Sequence, residues 1–180
     1  MKKKNIVFIA ASLDGYIAGK NGEIDWLHLV PNPDNIDMGF VGVMEEVDAV
    51  VMGRVTFDTV VGFGGEWPYS KHVFVLSRTL EAVPTELERQ VTVVSGTPAE
   101  VLRTINDLGH VKLYIDGGST IQQFLKEDLV DELIITTIPI LLGGGFSLFG
   151  ELEQPLPLCL ADTKVYLDQM IQSKYVRAKK

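Results

Sequence analysis

The chain has 180 residues, 46% of them hydrophobic and 22% charged, with 16 Lys and Arg against 24 Asp and Glu. That length allows one ordinary globular domain over residues 1–180 with a sizeable core, and the formal net charge of −8 excludes the broad cationic surface on which nucleic-acid and anionic-membrane binding depend. The single cysteine, Cys159, excludes an intrachain disulfide framework or a thiolate metal cluster and fits a reducing, cytoplasmic setting.

Met1 to Lys4 followed by the apolar run Asn5–Ala11 has the outline of a signal peptide, but the run ends in the turn chemistry of Ser12-Leu13-Asp14-Gly15 and reads as a buried first strand. No stretch approaches the roughly 20 apolar residues that span a bilayer, so a soluble protein is expected. Val30–Asp37, with Pro31 and Pro33, reads as a long surface loop. Helical spacing over Met38–Val47 then leads into a strand at Ala49–Met52, a helix at Thr56–Val61 and strands at His72–Ser77 and Val91–Ser95. Thr97-Pro98-Ala99-Glu100 opens a helix over Pro98–Leu108, with Thr97 as N-cap and Pro98 in the first turn. A strand at Val111–Ile115, a helix at Thr120–Leu129 and a strand at Glu132–Ile138 follow. These strands are continuous apolar runs, as expected when both faces are buried, and their alternation with helices implies a largely parallel sheet covered on both sides. After Pro139 the pattern changes to Gly-rich turns and two longer strands, Leu158–Leu167 and Gln169–Ala178, which read as an antiparallel hairpin on the sheet edge.

The G-x-G-x-x-G, Walker, H-E-x-x-H and G-x-S-x-G signatures are absent, and His28, His72 and His110 lack metal-ligand spacing. What remains are polar and glycine positions at the C-terminal ends of predicted strands, where open α/β sheets place ligands. Gly53-Arg54-Val55-Thr56 offers backbone N–H groups, a hydroxyl and a guanidinium; Ser77-Arg78 offers a second hydroxyl and guanidinium; Asp116-Gly117-Gly118-Ser119-Thr120 lets the backbone approach a phosphate at a helix start. Each alone also reads as a tight turn. Three in one chain form a cradle suited to a dinucleotide with an additional phosphate.

The order Ala10-Ala11-Ser12-Leu13-Asp14-Gly15-Tyr16-Ile17-Ala18, Trp26, Met52-Gly53-Arg54-Val55-Thr56-Phe57, Leu76-Ser77-Arg78, Asp116-Gly117-Gly118-Ser119 and Asp131 to Thr136 resembles the dihydrofolate reductase superfamily, and within it the branch of the riboflavin-biosynthesis reductase domain. The resemblance implies a three-layer α/β/α fold on a mostly parallel mixed sheet of about eight strands with a C-terminal antiparallel hairpin. It implies NADPH as cofactor. Ala10 and Ala11 would meet the nicotinamide amide, with Ile17 and Ala18 on a loop above it. Gly53, Arg54 and Thr56 would hold phosphates, Ser77 and Arg78 after Leu76 would read the 2′-phosphate, and Gly117, Gly118, Ser119 and Thr120 would line the pyrophosphate.

On the substrate side, the resemblance assigns the proton-relaying carboxylate to Asp37, paired with Thr136; Asp37 reads equally as a helix N-cap. Asp14 is the second candidate carboxylate, or the start of an Asp-Gly turn. Asp116 stands where the riboflavin branch has a glutamate at the substrate. Phe8 replaces that branch's lysine on the first strand, its ribose-phosphate arginine motif is not evident, and Lys71 replaces the folate-clasping arginine of true dihydrofolate reductases, a single ammonium that cannot reproduce a bidentate grip. Trp26, Phe40 and Trp67 are pocket walls or core aromatics, and the glycines of Pro139–Gly145 permit sharp bends or line the pocket. The expected function is an NADPH-dependent reductase of a pteridine-like or pyrimidine-like heterocycle, with a 5-amino-6-(5-phosphoribosylamino)uracil reductase and a non-catalytic nucleotide-binding module as alternatives. Family analogy also implies a homodimer.

Overall fold

The structure, a computed structural model, describes residues 2–178. In chain order its elements are β1 (Lys4–Ser12), β2 (Tyr16–Ala18), a 3-10 turn at Asp25–His28, α1 (Phe40–Glu46), β3 (Ala49–Gly53), α2 (Arg54–Gly62), β4 (His72–Leu76), a 3-10 turn at Thr85–Leu87, β5 (Val91–Val94), α3 (Pro98–Asp107), β6 (Lys112–Asp116), α4 (Gly118–Lys126), β7 (Glu132–Ile138), β8 (Phe146–Ser147), β9 (Leu158–Tyr166) and β10 (Met170–Arg177). One eight-stranded sheet runs β5-β4-β3-β6-β1-β7-β10-β9, and β2 pairs with β8 in a separate two-stranded ribbon. From β5 to β7 every pairing is parallel; β10 runs antiparallel to β7 and β9 antiparallel to β10.

The continuous apolar runs make this sheet because alternate residues feed two separate cores. On one face Val7, Val51, Phe74, Leu113, Ile115 and Leu133 pack under α3 and α4, which contribute Val101, Ile105, Ile121 and Phe124. On the other face Ile6, Val50, Met52, Val73, Val75 and Tyr114 pack under α1 and α2, which contribute Val43, Met44 and Phe57. The expected three layers are therefore present, with the C-terminal hairpin at the edge. At the N-terminal ends of the strands, Glu132, only 4% exposed, takes Lys174 at 2.6 Å and Lys4 at 3.0 Å, and Lys4 also reaches Glu46 at 2.7 Å. This ion-pair cluster ties the middle of β10 and the end of α1 to the starts of β1 and β7.

Two helices begin earlier than their apolar spacing indicates: α2 at Arg54 and α4 at Gly118, directly from the strands before them. Gly53 and Gly117 are their N-caps, so strand and helix are joined with no loop between. The β2–β8 ribbon has no counterpart in the predicted elements, because strands of three and two residues carry no readable period.

Candidate active site

Parallel strands bring their C-terminal ends to one edge, and there β3 and β6, adjacent in the sheet, launch α2 and α4 side by side. A helix start leaves four backbone N–H groups unpaired and carries a partial positive charge. Helix α3, which starts at the same edge beyond β5, has a full capping box between Thr97 and Glu100. Helices α2 and α4 have no side-chain cap at all. Their starts also interlock. Gly117 has φ +85°, and a Cβ there would overlap the Thr56 hydroxyl, while a Cβ on Gly53 would come within 2.8 Å of the Thr120 Oγ1. Thr56 and Thr120 thus cross-brace the two turns, Thr120 being buried. Ile17, from β2, closes over Gly118. The result is a paired anion cradle with a lid residue above it, which fits the diphosphate of a dinucleotide.

Around this cradle, Ser77 Oγ accepts the N–H groups of Thr79 and Leu80 and shapes the turn after β4 that carries Arg78. Arg54 lies across the same turn, its Nε 3.2 Å from Asp58 and its Nη1 2.9 Å from Thr79 Oγ1. Part of its hydrogen-bonding capacity is therefore spent within the protein. Ser119 accepts from Gln123 Nε2 on the exposed side of α4. On β1, Ala10 and Ala11 lie opposite Thr136 and Thr137 in register, which sets Ala10, Ala11, Leu76 and the cradle along one edge.

The substrate side lies under α1. Phe8 and Phe40 meet at 6.1 Å and Phe40 stands edge-on to Tyr114 at 6.4 Å, while Trp26 packs with Ala10 and Met38 in a smaller cluster beside them. Asp37 lies two residues before Gly39, the N-cap of α1, and serves the first turn: its Oδ2 accepts Val41 N–H at 2.8 Å and its Oδ1 accepts Gly39 N–H at 3.2 Å. These bonds, Val41 first, hold its carboxyl below the usual range. The expected pairing of Asp37 with Thr136 is replaced by another. Thr136 receives a hydrogen bond from Gln172 Nε2 at 2.9 Å, and the same nitrogen donates to the Met38 carbonyl at 3.0 Å. Gln172, on β10, is a buried polar side chain that no motif in the sequence marks, and it joins Thr136 to the segment before α1.

Asp14 is bound up in a different task. Ser12 Oγ donates to it at 2.6 Å, and it accepts the N–H groups of Leu142 and Gly143, so it latches the β1–β2 turn to the Gly-rich bend after β7. The Ser12 hydroxyl, then those amides, hold it below the usual carboxylate range. A carboxylate held in this way is a poor proton donor.

Asp116 is the opposite case. It ends β6 with its side chain on the α1/α2 face, where Tyr69 Oη donates to its Oδ2 at 3.1 Å and Gly117 N–H to its Oδ1 at 2.8 Å. Burial pushes its carboxyl above the ordinary range against both bonds. Tyr69, itself buried, reaches it from the segment before β4, with Trp67 edge-on at 5.3 Å behind it.

The model of the RibD C-terminal domain matches residues 3–171. The chain belongs to the RibD C-terminal domain family. Within reach of that family model, a protein from Shewanella sp. PV-4 assigned to riboflavin biosynthesis has 56% sequence identity and a TM-score of 0.95, over 98% of this chain and 99% of that one. The uncharacterized protein YwjB of Bacillus subtilis (strain 168) is 36% identical over 99% of this chain and 100% of its own length. The dihydrofolate reductase of Enterococcus faecalis, solved with NADP(H) and RAB-propyl, superposes with a TM-score of 0.67 at 20% identity over 98% of this chain and 97% of that one, which places the RibD C-terminal fold within the dihydrofolate reductase-like architecture. No helix among the described residues is long and apolar enough to cross a membrane.

Proposed function

We propose that this RibD C-terminal domain protein is a cytoplasmic NADPH-dependent reductase of a flat nitrogen heterocycle, pyrimidine-like or pteridine-like. The observation that carries this reading is the pair of uncapped, cross-braced helix starts at Gly53 and Gly117, set against the fully capped α3. Helix starts left open side by side at a sheet edge present unpaired N–H groups that an anionic ligand can complete. Bound there, NADPH supplies a hydride to the neighbouring pocket. The N–H groups and hydroxyls of Gly53–Thr56 and Gly117–Thr120 hold its phosphates, Ser77 and Arg78 take the 2′-phosphate, Ala10 and Ala11 fix the carboxamide, and Ile17 and Ala18 cover the ring. Trp26, Phe8 and Phe40 supply an apolar wall that stacks on a planar substrate and keeps water out.

Reduction of a panel of pterins and pyrimidines, the ribosylated aminouracil included, followed by the loss of reduced-nicotinamide absorbance, tests the activity. Turnover of at least one member is expected; tight NADPH binding with no turnover across the panel would overturn the enzymatic reading in favour of a binding module. Arg78 decides the cofactor. A charge-assisted bond to the 2′-phosphate corresponds to about tenfold or more in affinity, so NADPH is expected to bind at least about tenfold tighter than NADH. Arg78→Ala is expected to lose that preference with NADH binding unchanged. Equal affinities in the unmodified protein, measured by fluorescence titration, would refute the assignment.

The same reading includes a homodimer. Strand β9 is exposed along nearly its whole length, and in the hairpin Val165 faces Ile171 and Leu160 faces Tyr175, all on the sheet face left open by α4. Leu160 and Val165 are 60% and 64% exposed, and a hollow of about 410 Å³ lined by Leu133, Ile135, Leu158 and Tyr175 adjoins the hairpin. An apolar face of this kind on a soluble protein marks an association surface. Light scattering is expected to give twice the monomer mass, and Leu160→Lys to halve it; monomer mass at every concentration would sink the idea.

A further inference from the structure

Thr136 and Gln172 belong to one cross-strand row. Ala10 of β1 faces Thr136 of β7, Thr136 faces Gln172 of β10, and Lys164 of β9 continues the row at the sheet edge. Side chains two apart on a strand share a face, so this row lies on the face of Phe8, which α1 covers through Phe40. Ala10 also packs with Trp26 and Met38. The two polar side chains therefore stand beside the aromatic wall assigned to the substrate.

We infer that Gln172 is a specificity-determining residue whose carboxamide oxygen accepts a ring N–H from a neutral lactam edge of the heterocycle, while the neighbouring Thr136 hydroxyl donates to the adjoining C=O. This deepens the reductase reading given above and rests on it, by naming the edge through which the substrate is held.

The hydrogen bonds dictate the polarity of the pair. A carbonyl oxygen can only accept, so the Met38 carbonyl at 3.0 Å fixes which end of the Gln172 amide is nitrogen. The same nitrogen donates to Thr136 Oγ1 at 2.9 Å. Both amide protons are thereby used. Gln172 Oε1 accepts no bond from any described residue, yet it is not sealed from its surroundings as Trp67 Nε1 is. Thr136 accepts one bond and donates none among the described residues, which leaves its hydroxyl proton free. These side chains are only 7% and 4% exposed. Open hydrogen-bonding positions on polar groups buried this deeply point to a ligand that completes them.

Charge narrows the choice of ligand. Gln172 and Thr136 are both neutral, and Lys164, the one charged residue of the row, is a cation. Asp37, which precedes Met38, has its two oxygens on the Gly39 and Val41 amides. A protonated aminopyrimidine brings two donors and a positive charge and meets no free carboxylate here. A lactam edge sets its donor against the glutamine oxygen and its acceptor against the threonine hydroxyl, so mismatch rejects the first and complementarity holds the second.

Three pyrimidines, titrated calorimetrically in the presence of NADP+, test the assignment. They are 5,6-diaminouracil, its 1,3-dimethyl derivative, which lacks both ring N–H groups, and 2,4-diaminopyrimidine. The diaminouracil is expected to bind about tenfold or more tighter than either of the others. In Gln172→Leu the ratio between the two uracils is expected to collapse to about one, whereas a purely structural role would weaken all three ligands alike and keep the ratio. Thr136→Val is expected to weaken the diaminouracil several-fold, and Thr136→Ser to restore it. Equal affinities for the two uracils in the unmodified protein, a ratio that survives in Gln172→Leu, tighter binding of the diaminopyrimidine, or an unmoved affinity in Thr136→Val would each overturn the inference. The reductase reading fails separately, by an absence of NADPH oxidation with every heterocycle of the panel, and the affinities still decide the role of Gln172.

Discussion

Replacing Gly117 with alanine is expected to remove measurable cofactor binding and to cost roughly 2–4 kcal/mol of stability. The residue sits at φ +85°, ψ 132°, a conformation that side chains with a Cβ avoid, and the added methyl would overlap the Thr56 hydroxyl. Thr56 cannot yield freely, since it belongs to the first turn of α2 and is one half of the brace between the two helix starts. Either that turn moves or β6 and α4 separate, and both outcomes spoil the alignment of N–H groups on which anion binding depends. Gly118→Ala provides the contrast. Its backbone is not left-handed, and the added methyl would meet the tip of Ile17, the far end of a flexible side chain. Stability within about 1 kcal/mol of the unmodified protein is expected there, with a several-fold loss of NADPH affinity as Ile17 is displaced from its place above the cradle. Urea unfolding and NADPH titration of the two variants check this; equal stability losses at positions 117 and 118 would refute the brace.

The difference between those neighbouring glycines illustrates how far the sequence could be read. Six buried strands were legible because their β-branched runs are long, and the helix over Pro98–Leu108 was legible down to its cap because Thr97, Pro98 and Glu100 are a local signal. Gly53 and Gly117 were legible as the glycines of a phosphate cradle from their place after a strand. That they brace one another through Thr56 and Thr120 was not, since they lie 64 positions apart in the chain, from 53 to 117, and only the parallel pairing of β3 with β6 brings them together.

The substrate half is less legible for the same reason. Asp37 and Asp14 stood out as carboxylates near turns, and near turns is where they are used, one at the first turn of α1 and one as a latch. Asp116 stood out only through the resemblance, and its partner Tyr69 carries no motif, arriving from 47 positions away. The chemistry of a carboxyl is set by what is buried around it, and burial is a product of topology. The cofactor half of this site is built from backbone at strand ends, which local sequence encodes; the substrate half is built from side chains of several distant segments, which it does not.

Gln172→Leu is expected to destabilise the protein by about 3 kcal/mol and to weaken heterocycle binding by on the order of tenfold, with NADPH affinity little changed. Gln172 is 7% exposed and its carboxamide nitrogen donates to both the Thr136 hydroxyl and the Met38 carbonyl. Leucine fills a similar volume but leaves both acceptors without that donor, and an unmatched buried polar group costs about 1–3 kcal/mol. The Met38 bond matters for binding as well as for folding. Met38 has φ +53°, unfavourable for a side chain of its kind, and it directly precedes the Gly39 and Phe40 that start α1. Gln172 therefore pins the entrance of α1 to the sheet, and with it Phe40 and the Asp37 contacts. Gln172→Glu separates the hydrogen bond from the packing. Ionised, that side chain has no donor and faces a carbonyl oxygen; protonated, it regains one donor. Its carboxyl is thus expected to have a folded-state pKa above the unfolded value, so stability approaches that of the unmodified protein at low pH and is lost as pH rises through the folded-state pKa. Urea unfolding across pH, alongside KM for the reduced heterocycle, measures both effects; a pH-independent loss equal to that of the leucine variant would show that packing, not the bond to Met38, holds the α1 entrance.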